Sequence, residues 1–177
     1  LIEHGVSINM PAPGNDQKGL TALHFAAKSG PLSLVSMLLG CNANPAQGAE
    51  DGMLPLDLTS FMSTRDYGAV RKLLREQMAP HIVAEGWLTK LGTERKVFRR
   101  RYCLLLPEQF RYYSDSDLSY HKGRVELRGA QATSPSSYPS APSQLSFDLK
   151  TLDATAVLYA DEPRALKLWL NAIATIS

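Results

Sequence analysis

The sequence predicts a two-domain α + β chain, in which paired helices come first and a β-rich unit closed by a C-terminal helix follows. Three observations carry this reading. A turn-and-helix frame at Thr21 returns at Leu54, 33 residues later. From residue 84 the helical spacing gives way to short segments whose apolar residues alternate, the period of half-buried strands. The last residues then carry an apolar stripe at helical spacing. Charge divides at the same place: residues 1 to 83 hold 6 Lys+Arg against 7 Asp+Glu, net −1, whereas the remainder is net +3.

In the first part, Lys18-Gly19-Leu20-Thr21-Ala22-Leu23-His24-Phe25-Ala26-Ala27 reads as a turn opening a helix, and small residues at Ala22, Ala26 and Ala27 let neighbouring helices approach. Pro31 to Gly40 reads as the second helix of the pair, with Val35, Leu38 and Leu39 on one stripe, and Asn42 tolerates the left-handed turn that follows. Asp51-Gly52-Met53-Leu54-Pro55-Leu56-Asp57 repeats the opening, and Val70-Arg71-Lys72-Leu73-Leu74 supplies a closing helix. This frame resembles the ankyrin repeat, whose period is 33 residues. Ala22 stands where that pattern has proline, and Leu54 and Asp57 replace its threonine and histidine, so the second copy is degenerate. Leu1 to Asn9 resembles the end of an earlier repeat, so the chain is expected to begin inside a structural unit. The resemblance implies a partial array of about two and a half repeats over residues 1–78 and a linker over 79–83. Repeats bury their cores by stacking. Either upstream repeats or the second domain is expected to cover the stack's end. His24 takes, by the resemblance, a hydrogen-bonding role across the turn; no second metal ligand sits at a useful helical spacing from it.

In the second part, Glu85 to Gly92 and Phe98 to Leu106 read as two strands joined by a basic loop. Arg99 and Arg101 share parity with Cys103 and Leu105, and Lys90 shares it with Leu88. If the apolar members face a core, the three cations line its mouth, where mutual repulsion favours an anion held by charge-assisted hydrogen bonds. Arginine's fork suits phosphate, and Lys90 is expected to add a mobile point charge. The stretch resembles the start of a pleckstrin homology (PH) domain. That resemblance implies a seven-stranded β-sandwich or barrel capped by a C-terminal helix over residues 84–177. It also implies a phosphoinositide signature matched here by Lys90, Arg99 and Arg101, with Tyr112 in the third strand and Lys122 before the fourth as further contacts. Lys96 is an additional loop cation. Glu94 stands where strong binders carry positive charge.

The remaining segments follow in order. Gly123 to Arg128, Ala130 to Thr133, Gln144 to Leu149 and Thr155 to Tyr159 read as strands. Asp161 is the expected N-cap of a helix with Glu162 and Pro163 in its first turn, and Leu166, Trp169, Leu170, Ile173 and Ile176 form its apolar stripe. Trp169 reads as core. Ser134 to Ser143, rich in serine and proline, reads as a mobile loop. Within it Ser134-Pro135 offers a proline-directed kinase motif, whose phosphate would weaken membrane approach.

Composition limits the functions that fit. The sequence has no glycine loop for phosphates, no zinc-spaced cysteines and no nucleophile elbow, so neither catalysis nor a cofactor is expected. Its two cysteines, Cys41 and Cys103, fall in different domains, and a disulfide is not expected. So few cysteines, with no disulfide-scaffold pattern, read as a reducing cytosolic location, and since no apolar run spans a bilayer, membrane association is read as peripheral. Basic residues cluster at one loop instead of along a stripe, against nucleic-acid binding. The reading is a non-catalytic adaptor with anionic phosphoinositide lipids and a protein as partners. Its alternatives are a protein-interaction scaffold without lipid binding, or the targeting fragment of a larger oxysterol-binding-like or Arf GTPase-activating protein.

Overall fold

The computed structural model describes residues 7–13, 19–59, 67–141 and 144–176. They separate into two compact units, Leu1–Pro80 and His81–Ser177. The expected helix end before Val6 and the Lys18 position lie outside the described residues, as do Pro142 and Ser143.

In the first unit, α1 (Ala22–Ser29) and α2 (Leu32–Gly40) form the anticipated hairpin, followed by the single turn α3 (Pro55–Leu58) and by α4 (Tyr67–Met78). Their core is built from Leu23, Ala26, Ala27, Val35, Leu38, Leu54, Leu56, Val70, Leu74 and Met78. Ala26 and Ala27 allow the expected close approach, whereas Ala22, at the first helical position, is exposed. Asn42 adopts φ +63°, and successive turns are stitched by Asn9, whose Oδ1 accepts from the Asn44 N–H at 2.7 Å.

His24 ties one repeat to the next. Its Nε2 lies 3.0 Å from the Met53 carbonyl, which can only accept, so that nitrogen carries the proton and Nδ1 accepts from the Thr21 N–H at 3.1 Å. Burial lowers its pKa, and protonation would set two donors against each other at Nδ1. In the degenerate copy Asp57 takes over part of this duty: its carboxylate accepts from the Leu54 N–H at 2.8 Å. The substitution replaces the residue but keeps a side-chain acceptor for the buried amide at the helix start.

The second unit is a seven-stranded antiparallel sheet: β1 (Ala84–Leu91), β2 (Phe98–Leu105), β3 (Gln109–Tyr113), β4 (His121–Glu126), β5 (Gln131–Thr133), β6 (Ser146–Lys150) and β7 (Thr155–Tyr159). The strand order is β4-β3-β2-β1-β7-β6-β5. Leu88, Cys103, Leu105 and Phe110 from one half of that order share a core with Phe147, Leu149, Ala156 and Leu158 from the other. The sheet is therefore bent over on itself. Helix α5 (Pro163–Ala174) closes it, burying Trp169 and Ile173, with Leu166, Leu170 and Ile176 packed alongside. The N-cap is Glu162, with Pro163 at the first helical position; Asp161, expected to cap, instead pairs with Arg100 at 2.8 Å.

The sheet's other face is also buried around Leu104, Arg111 and Tyr113. There Arg111 hydrogen-bonds Gln109, Tyr113 and His121 at 2.5, 3.2 and 3.2 Å. A fully buried guanidinium requires such partners, because desolvation of an unpaired charge is costly.

The segment expected to be mobile is tied down over its described part. Ser134 Oγ donates to the Ser146 carbonyl at 2.9 Å, and Ser137 donates to Asp148 Oδ2 through its N–H at 3.2 Å and its hydroxyl at 2.7 Å. Ser136 Oγ donates to Asp148 Oδ1. Composition favoured disorder, but a buried carboxylate on β6 gives the serine hydroxyls fixed partners.

Candidate anion-binding site

Strand register assembles the site. Antiparallel pairing sets Lys90 opposite Arg99 and Leu88 opposite Arg101. Leu88 is fully buried, so the face it shares with Lys90 leads from the core to the strand end. Like charges directly across a pair repel. Pairing of Cys103 with Tyr112, and of Tyr112 with Gly123, then brings the third strand's tyrosine to the same place.

Lys90 is held more firmly than the sequence led us to expect. It is 7% exposed, its Nζ donates to the Leu91 carbonyl at 3.0 Å, and it lies 4.6 Å from the centroid of the Tyr112 ring. Burial depresses its pKa, and the Arg101 and Lys96 charges deepen the depression. Burial likewise lifts the Tyr112 phenol above its usual value. Arg101 Nη1 donates to the Arg100 carbonyl at 2.9 Å, which orients its guanidinium.

These groups line a cleft of about 430 Å³. Lys90, Arg99, Arg101, Tyr112 and Lys122 all contribute, and the loop between β1 and β2 adds Glu94, Arg95 and Val97. Lys96, in the same loop, is not among the lining residues. Five cations thus face one carboxylate around this space. Neutralising them with an anion removes repulsion and supplies charge-assisted hydrogen bonds. No group of three or more metal-ligating side chains occurs among the described residues.

Sequence reasoning missed Arg95 and the reason for Gly123. Arg95 gave no signal, since a loop side chain's direction follows no period. Gly123 did give one: a glycine inside a strand marks close approach of another group. A Cβ there would lie 2.3 Å from the Tyr112 hydroxyl oxygen and 2.6 Å from its Cζ, and the residue's φ is +152°. Gly123→Ala is expected to push the Tyr112 ring from its place beside Lys90 while leaving the unit folded. Tyrosine ring resonances in NMR spectra should shift, and anion affinity should fall about threefold to tenfold, the scale of one lost cation–π or polar contact. Unchanged ring resonances would refute this account of the glycine.

A family model described as "PH domain" matches residues 82–177, and one described as "Ankyrin repeats (many copies)" matches residues 1–39. Among curated proteins, Rho GTPase-activating protein 22 of Mus musculus is 28% identical over 58% of this chain and 16% of its own length. Protein fem-1 homolog A of Bos taurus is 36% identical over 51% of this chain and 13% of its own. The chain spans less than a fifth of the length of these relatives. Among solved structures, the C-terminal PH domain of pleckstrin in complex with D-myo-Ins(1,2,3,4,5)P5 is 28% identical. It aligns with a TM-score of 0.46 over 54% of this chain and 98% of that one.

Proposed function

The chain belongs to the PH domain family, and from that membership we propose that it is a non-catalytic adaptor whose second unit holds anionic phosphoinositide lipids. The observation that supports this reading best is the cleft in which Lys90, Arg95, Arg99, Arg101 and Lys122 converge. Attraction of this kind is reversible, because each cation near an anionic leaflet contributes about 1 kcal/mol and is screened by salt. The protein would visit a membrane surface without spanning it; no described helix is long and apolar enough to cross one. The N-terminal repeats, matched over residues 1–39, would hold a protein partner.

The test is co-sedimentation of the chain with phosphatidylcholine vesicles, with and without phosphoinositide, at low and high salt. Binding should require the phosphoinositide, weaken with salt, and fall about tenfold or more in a folded Arg101→Ala variant, which loses a fork able to grip phosphate. If the native chain never sediments above the neutral-lipid control, the second unit is a protein-binding module and the lipid reading fails.

A further inference from the structure

Residues 134–141, which follow β5, form a strap. Ser136 and Ser137 fasten it to Asp148, a carboxylate only 1% exposed in the middle of β6. The Ser136 N–H also donates to Ser146 Oγ at 3.1 Å. Beyond the fastening, the Tyr138 ring rests edge-on against Phe98 at 6.1 Å between centroids, and Phe98 in turn meets Tyr159 at 5.4 Å. Phe98 is the first residue of β2, and Arg99 follows it. The strap thus bears on the end of the strand that delivers Arg99 and Arg101 to the cleft.

We propose that Ser137 is a phosphorylation site whose modification unfastens this strap and so loosens the cleft's arginines. Ser137 is exposed, yet its hydroxyl points at a buried carboxylate. A serine/threonine kinase would transfer the terminal phosphoryl group of a nucleoside triphosphate to Ser137 Oγ: the bond to the nucleoside diphosphate breaks, the O–P bond forms, and the hydroxyl proton leaves. The product replaces a donor with a group of charge about −1.5 to −2 beside Asp148. Burial pushes the Asp148 pKa up, but the hydrogen bonds from Ser136 and Ser137 outweigh it and hold the carboxyl below its usual range. It therefore stays ionised at neutral pH, and the phosphate cannot take the hydroxyl's place without facing an anion. The segment then leaves β6, carrying Tyr138 off Phe98. The coupling to the cleft rests on the lipid reading above; the opening of the strap does not.

The test uses the full chain with phosphoserine installed at position 137, a Ser136→Ala/Ser137→Ala variant that removes both hydroxyl ties to Asp148 without adding charge, and Ser140→Glu as a charge control in the same loop. Amide hydrogen exchange over residues 134–141 should accelerate about tenfold or more in the first two, as for a segment released into local opening, and stay near native in the third. Sedimentation with phosphoinositide vesicles should weaken about threefold to tenfold in the first two, by the loss of well-placed arginine contacts, and less in the control. A phosphorylated strap that exchanges as slowly as the native one overturns the proposal. An open strap with native vesicle binding overturns its coupling to the cleft. A native chain that binds no vesicle at all overturns the lipid reading instead, and the exchange result still decides the strap.

Discussion

Lys90→Met is expected to stabilise the second unit while depriving it of anion binding. The native ammonium is nearly buried, beside Arg101 and across the pair from Arg99, and its pKa is depressed by burial first and by neighbouring charge second. A lysine whose folded pKa lies below its unfolded value binds its proton more tightly when unfolded. Protonation at neutral pH therefore favours unfolding, and the cost grows as pH falls from the unfolded pKa to the lower folded one, below which it is constant. Methionine keeps most of the stem's packing and carries no charge, so stability at pH 7 should rise by about 1 kcal/mol, the usual yield of relieving one unfavourable feature. Affinity for phosphoinositide vesicles should fall about tenfold or more, because a cation touching a phosphate is lost. Urea denaturation and vesicle sedimentation on the same preparation check both halves. A variant that is less stable than the native chain contradicts the strain argument, and one that binds as well removes Lys90 from the site.

The opposite result is expected at Trp169. Its ring is 2% exposed and meets Phe110 edge-on at 5.9 Å, at the centre of the contact between α5 and the bent sheet. Trp169→Ala removes that contact and leaves a cavity that the helix cannot fill without leaving the sheet. Large-to-small changes of this kind cost about 3–5 kcal/mol, roughly a fifth or more of the stability of an ordinary domain. The sequence contains 2 tryptophans, so the variant leaves Trp87 as the reporter. Trp87 lies in β1, edge-on to Tyr102 at 5.4 Å and with Arg100 5.0 Å from its ring, so its fluorescence follows the sheet. A urea midpoint displaced by the equivalent of less than about 1 kcal/mol would mean that α5 closes the fold without depending on its tryptophan.

What was legible in the sequence was whatever has a period. Strand alternation placed Cys103 and Leu105 on the core face, and hence Arg99 and Arg101 ahead of them on the same side; the helical stripe of α5 fixed Trp169 and Ile173 as buried. The 33-residue offset located both repeat openings. The features that were not legible depend on contacts far apart in the chain. Ser134 to Ser143 reads as a mobile loop until the Asp148 carboxylate on β6 is known to hold its serines. Lys90 reads as mobile for the same reason: its tether to the Leu91 carbonyl is local, but the ring above it comes from β3.

The placement of the sulfur atoms has a practical consequence. Cys41 ends α2 in the first unit, partly accessible, and Cys103 lies wholly inside the second, where burial drives its thiol far above its ordinary pKa. Alkylating reagents attack thiolates, so the two sites answer on separate clocks. Cys41 reports on the folded surface around it, whereas Cys103 becomes reactive when the sheet beneath the arginines comes apart. Each half of the molecule thus carries its own thiol, one answering for the folded surface and the other for opening, and the native chain can be followed half by half without any label being engineered into it.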